Sequence, residues 1–165
     1  MPPRLTTPTE RAAASFLAAG AEFRAEGRAL RGTDDITEGW FARYLDALRR
    51  DVEAPGPGLA AQTTLWWSDG DEFLGRLAIR HRLTPALRRH GGHIGYEVRP
   101  SARRRGHATA MLQAALPLAA DLGIDQALVT CDPGNVASRK VIEAAGGIRL
   151  DEPGPELRFW VSTSR

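Results

Sequence analysis

The sequence predicts a mixed α/β domain: a central, mostly antiparallel sheet with one parallel strand pair, flanked by helices. Three observations carry this. Two helical patterns open the chain, a β-hairpin pattern follows, and from residue 93 strand and helix patterns alternate before two strand-like runs close it. A strand, a helix and a strand in succession across 93–131 form the unit that joins parallel strands. At 165 residues the chain reads as one domain, 1–165, large enough to bury roughly two-thirds of its unfolded surface.

Thr7-Pro-Thr-Glu10 has the form of a capping box with Pro8 at the first helical position, so a helix is expected over about 8–26. A second helix is expected from near Asp35. Phe41, Leu45 and Leu48, with Tyr44 beside them, mark its buried face. Residues 53–60 hold Pro55, Gly56, Pro57 and Gly58 and read as a loop. The β-rich runs 63–68 and 72–80 meet at Asp69-Gly70, a favoured hairpin pair. Trp66 and Trp67 face opposite ways, so one belongs in the core and the other is a candidate for the wall of a binding pocket. A connection with one helical turn spans 84–92, and a strand covers 93–99.

Residues 108–122 follow as a helix, with Leu112, Leu116, Ala119 and Leu122 on one stripe, Pro117 bending it and Gly123 ending it. The short apolar run 127–131 suits a strand buried on both faces. Strands near 148–151 and 157–162 complete the order.

Hydrophobic content of 42% and charged content of 25% are ordinary for a soluble globular protein. No apolar run approaches a membrane span, and the start lacks the charged-then-apolar order of a signal peptide. No membrane partner is expected. The lone Cys131 excludes an internal disulfide and suits a reducing cytoplasm, the expected location. His81, His90, His93 and His107 lack zinc-ligand spacing, so no metal is expected. The formal net charge of +2 is small, yet residues 76–105 carry nine arginines against one acid, Glu97. That segment can attract a polyanion or form a solvated face. It lacks the aromatic interleaving of a single-strand binder and any helix-turn-helix pattern, so nucleic acid is not an expected partner.

The densest information lies in Val98-Arg-Pro-Ser-Ala-Arg-Arg-Arg-Gly-His-Ala108. A strand, a basic loop with glycine and a helix start make an anion cradle, because unpaired N–H groups point outward and the helix dipole favours negative charge. About thirty residues on, Asn135-Val-Ala-Ser138 opens a further helix, and Gly146-Gly147 ends it.

The spacing Arg103-x-x-Gly106-x-Ala108 resembles the pyrophosphate loop of the GNAT superfamily of N-acyltransferases. The run from Asn135 to Gly147 resembles the family's later segment, in which an Asn opens a helix that ends in Gly before the next strand. Trp66-Trp67, Arg80-His81-Arg82-Leu83 and the stretch from Gly92 to Tyr96 are similar to a bacterial subgroup of these acetyltransferases. The resemblance implies a GNAT fold whose strands at 93–99 and 127–131 splay apart to admit coenzyme A. It implies an acyltransferase using acetyl-CoA, with no metal. Its cofactor-binding positions fall at Val98, Arg99, Arg103, Arg104, Arg105, Gly106, His107, Ala108, Thr109, Asn135 and Ser138. Asn135 can serve the cofactor arm, cap its helix, or both.

A backbone N–H near Val98 is the implied donor to the thioester oxygen. Glu97 can act as the base or as an ion-pair partner, and His93, on the same strand face, can take a substrate-side role. The family often places a Tyr acid seven residues after the motif Asn, where this chain has Ile142; Tyr96 and Ser138 are the nearest other donors, and unassisted thiolate departure is the alternative. Cys131 has no arrangement of His and Asp to make it a nucleophile. The expected acceptor is a small-molecule amine. Protein N-terminal or lysine acetylation, acyl-CoA sensing without turnover, and assembly as a homodimer stay open.

Overall fold

The computed structural model describes residues 2–164. Seven strands form one sheet in the order β1-β2-β3-β4-β5-β7-β6. They are β1 (Arg4–Thr6), β2 (Gln62–Asp69), β3 (Glu72–Arg80), β4 (Ile94–Val98), β5 (Gln126–Cys131), β6 (Ile148–Arg149) and β7 (Leu157–Ser162). The helices are α1 (Ala13–Ala25), α2 (Trp40–Glu53), α3 (Pro85–Arg89), α4 (His107–Asp121) and α5 (Val136–Ala144). Every neighbouring pair is antiparallel except β4 and β5, which run parallel across the α4 crossover.

Two cores hold the layers. On one face α4 and α5 lie over the sheet, where Leu77, Ile79, Ile94, Met111, Leu112, Ala115, Val129 and Ile142 pack together. On the other, α1 and α2 close an aromatic core: the Phe16 ring stacks 4.5 Å from Trp66 and meets Phe73 edge-on at 5.1 Å. Trp66 donates its indole N–H to Tyr44 at 3.1 Å, so the buried indole keeps a polar partner. Alternation along β2 sends Trp66 to this core and Trp67 to the other. Both indoles are buried, which corrects the expectation that one lines a pocket.

The helix expected from residue 8 starts later. A 3-10 turn covers Glu10–Ala12 and the α-helix begins at Ala13. Thr9 stands at the start of that turn with no side-chain cap, so the anticipated capping box is not made. The reason lies upstream: Arg4–Thr6 is drawn into pairing with β2, Leu5 opposite Trp67, and the chain must turn before it can coil. The second helix likewise begins at Trp40, after an irregular stretch, with Gly39 at φ 77 as its entry. Its buried face holds Tyr44 and Leu48, whereas Leu45 is exposed. On α4, Leu112 and Ala119 are buried but Leu122 is exposed.

Candidate functional site

The sheet is continuous except between β4 and β5. Their register holds a single pair, Ile94 opposite Val129. Beyond it, towards Val98 and Cys131, the strands part. β4 meanwhile stays paired to β3 from Ile94 to Val98. The Arg80 N–H donates to the His93 carbonyl at 2.7 Å and the Arg99 N–H to the Leu74 carbonyl at 2.8 Å. These two bonds fix the phase. Backbone groups of residues 95 and 97 turn to β3, and those of Tyr96 and Val98 turn to the gap.

At the wide end of the gap sits the basic loop. Arg104 adopts φ 65 and Gly106 φ 81, left-handed values that fold the loop tightly into α4. A non-glycine residue there is uncommon and marks a loop held by its surroundings. No side chain caps the start of α4, and nothing lies within 4 Å of a Cβ built on Gly106. The first-turn N–H groups of His107, Ala108 and Thr109 therefore face open space. A cleft of about 300 Å³ lined by Arg104, Gly106, His107, Ala108 and Thr109 adjoins one of about 460 Å³ lined by Tyr96, Glu97, Asn135 and Ser138. Val98, Arg103, Ala108, Ala137 and Val141 border both.

The arginines divide by partner. Arg99 turns away from the loop and binds Glu22 at 2.7 Å, the Ser15 hydroxyl at 3.0 Å and the Phe73 carbonyl at 3.2 Å, tying β4 to α1. Arg99 was expected at a cofactor-binding position, and its side chain is instead engaged in this structural contact. Burial pushes the Glu22 carboxyl up, but hydrogen bonds from Ser101 and the Arg99 guanidinium outweigh it and hold the carboxyl below its ordinary value. Arg103 makes a fork to Glu26 at 2.7 and 3.0 Å, which lowers that carboxyl too. Arg104 and Arg105 have no ion-pair partner among the described residues. Glu22 and Glu26 were legible only as an i,i+4 acidic pair, with nothing to say which loop they serve.

His107, the first residue of α4, accepts the Trp67 indole N–H at Nδ1, 3.1 Å away, which leaves the ring proton of the neutral form on Nε2. Asn135 accepts the Ser138 N–H through Oδ1 at 3.1 Å, so it caps α5 and keeps its amide N–H groups for another partner. Tyr96 reaches across the gap to Ser138, hydroxyl to hydroxyl at 2.9 Å. Burial raises the Tyr96 pKa, partly offset by that bond, so the phenol stays protonated at neutral pH. Ile142 lies wholly in the core and has no access to the gap.

Glu97 lies on the opposite face, towards α1 and α2. Oε1 meets Arg76 at 3.1 Å and Oε2 meets Arg28 at 3.0 Å. His93 is a correction. Its Nδ1 accepts the Leu128 N–H at 2.8 Å, so the ring closes the narrow end of the strand pair. With that lone pair taken and the proton on Nε2, neutral His93 has no site left to accept an amine proton. Burial also lowers its pKa. Cys131 is buried at the end of β5, and burial raises its thiol pKa, which makes it a poor nucleophile. Among the described residues no group of three metal-ligating side chains is present.

A family profile described as an acetyltransferase (GNAT) domain matches residues 4–148. This chain belongs to the GNAT acetyltransferase family. It is accordingly an acyltransferase, with the family's sheet and splayed parallel pair. The fold is similar to Mycobacterium smegmatis RimJ in complex with CoA-disulfide, at 20% identity and TM-score 0.66 over 98% of this chain and 86% of that one. It is similar to RimL, a ribosomal L7/L12 α-N-protein acetyltransferase in complex with coenzyme A, at 16% identity and TM-score 0.66 over 100% and 97%. It is also similar to yncA from Salmonella typhimurium, a putative acetyltransferase with acetyl-CoA, at 12% identity and TM-score 0.60 over 100% and 96%. A sequence search of curated proteins finds no significant match.

Proposed function

We propose that this GNAT protein moves an acetyl group from acetyl-CoA to the primary amine of a small molecule, by direct attack in a ternary complex. The observation that carries the proposal is the gap between β4 and β5, open at one end onto an uncapped helix start and two arginines with no ion-pair partner among the described residues. Those features fit a pyrophosphate followed by an amide-bearing arm. Arg104, Arg105 and the first-turn N–H groups of α4 bind the phosphates, with Gly106 admitting them close to the backbone. The Asn135 amide and the backbone of Tyr96 and Val98 hold the arm. Acetyl-CoA supplies an activated acyl thioester.

The Val98 N–H donates to the carbonyl oxygen as negative charge grows there. Glu97 takes the proton of the incoming amine, its lone pairs shared with Arg28 and Arg76 until then. As the N–C bond forms and the C–S bond breaks, Tyr96 gives its proton to the departing thiolate, and Ser138 holds the phenol in place. The Arg28–Glu97–Arg76 bridge joins the segment after α1 to β3 and β4, and an amine must pass it to reach Glu97, which supports a small acceptor over a folded surface.

The likeness to RimL favours a second reading, acetylation of a protein N-terminus. Free-thiol release from acetyl-CoA with a panel of small amines and N-terminal peptides tests the proposal. Turnover on small amines is expected, and Tyr96→Phe should lower kcat more than it raises KM. Turnover on peptides alone would give the second reading, and acyl-CoA binding without turnover would make the protein a sensor.

A further inference from the structure

The nine arginines of residues 76–105 are not used alike. Arg76, Arg99 and Arg103 each hold a carboxylate. Arg80 does not. It is half-buried, and its partners are all neutral: Nε donates to the Gln62 amide oxygen at 3.1 Å, and Nη1 to the carbonyls of Gly91 at 3.0 Å and Gly92 at 3.5 Å. Nη2 makes no hydrogen bond to any described residue. Burial and the neighbouring Arg76 guanidinium lower its pKa, only partly offset by Glu156. Arginine nonetheless stays charged in proteins, so a cation stands here with no carboxylate bonded to it among the described residues, Glu156 acting only from a distance.

Its position matters. Arg80 lines a cleft of about 640 Å³ between α2, the loop after it, and α3. Arg31, Arg50 and Asp51 line it too, with Leu59 and Leu87 as apolar walls, so arginines outnumber acids three to one. The guanidinium also lies across β4: a methyl group on Gly95 would stand 3.1 Å from Nη1 and 3.5 Å from Nη2. Gly95 is thus the residue that lets Arg80 rest on the strand. Gly95 and Glu97 share one face, that of α1 and α2, on which an amine must approach the proposed base.

We infer that the face of β4 between Arg80 and Glu97, at the edge of this cleft, takes a small amine bearing a carboxylate, with Arg80 holding the carboxylate while the amine reaches the thioester beside Glu97 and Val98. This rests on the acetyl-transfer reading and names its substrate class. Gly95 and Val98 are three residues apart, roughly 10 Å along a strand. A hydrogen bond at one end and an attack distance at the other take about 3 Å each. What remains between nitrogen and carboxylate is a few ångström, the spacing in an α- or β-amino acid. Leu59 and Leu87 leave room for an apolar side chain.

The test uses the full chain with acetyl-CoA, following thiol release with α-amino acids and β-alanine, each beside its carboxamide. An acid is expected to be preferred over its amide through KM. Arg80→Gln is expected to raise KM for the acid roughly tenfold to a hundredfold more than for the amide. Arg80→Lys, which keeps the charge, should recover part of the loss if the glutamine variant folds poorly. A parallel arm needs no turnover: with coenzyme A bound, the acids should raise the wild-type melting temperature and the amides should not. Turnover on amines with no difference between acid and amide, together with no selective thermal shift, would overturn the inference and leave acetyl transfer standing. Preference for a peptide with an acidic side chain over every free amino acid would also overturn it. Absence of turnover on every amine tried would count against acetyl transfer itself, and the thermal arm would still decide the carboxylate site.

Discussion

His93 shows how one hydrogen bond settles a chemical role. The ring accepts a backbone N–H, so protonating Nδ1 would set donor against donor, and burial adds to the cost of the charge. The folded pKa therefore lies below the ordinary value of 6.5. Between the two values the unfolded chain binds the proton and the native state does not, so stability falls as pH drops through that ordinary value. Asn at position 93 can accept the same N–H through its side-chain oxygen without titrating. We expect melting temperature to decline on acidification below about 6.5 in the wild type, and to decline less in His93→Asn. Parallel acid limbs for the two proteins would contradict this. Glu97 gives the complementary case. Glu97→Gln should slow acetylation at neutral pH by about 10²–10⁴-fold and recover as rising pH supplies free amine. A normal rate with a lowered melting temperature would instead assign the carboxylate to its two arginines.

At the scale of elements, the start of α4 carries the sharpest expectation. Gly106 is left-handed, and nothing crowds its missing side chain. Gly106→Asn and Gly106→Asp impose similar bulk and similar backbone strain, and both residue types tolerate this conformation better than most. Only the second adds negative charge where a phosphate should sit. Calorimetry should show acetyl-CoA affinity reduced in both and lost in the aspartate variant, with both folded. Equal affinities in the two variants would remove the charge argument.

The cradle was readable because it is local: strand, loop, glycine and helix start lie within about a dozen residues, and each obeys short-range rules. The strand pair 93–99 and 127–131 was readable for the same reason. What escaped the sequence is set by distant partners. Arg4–Thr6 is a strand only because β2 offers it an edge, and three residues beside Pro2 and Pro3 carry no period of their own. Arg99 read as a cofactor-binding position, and only the fold brings Glu22 and Ser15 against its side chain. Arg80 looked like one basic residue among nine, and only the register with His93 places it on β4.

Over the whole molecule, the gap interrupts the sheet between the strands that precede and follow α4. β5, β7 and β6 join β4 through one register pair, the His93 ring, the α4 and α5 core, and the hydroxyl bond from Tyr96 to Ser138. A ligand filling that gap binds the native state and not the unfolded chain. We expect acetyl-CoA at about a hundredfold excess over its Kd to stabilise the fold by roughly 2.7 kcal/mol, read as a concentration-dependent rise in melting temperature. Gly106→Asp should show no such rise. A ligand-independent melting temperature in the wild type would argue against occupancy of the gap.

The contact between Trp67 and His107 makes the cradle optically visible. The indole N–H is bonded to the first residue of the helix whose open turn is the proposed phosphate site. Any ligand that draws on the His107 ring or moves it alters the hydrogen bond on that indole, and with it the indole's emission. Trp40, Trp66 and Trp160 lie elsewhere, and Trp66 is stacked in the aromatic core. Titration with coenzyme A should therefore change intrinsic emission in a way that Trp67→Phe abolishes, and the protein carries its own binding reporter without a label.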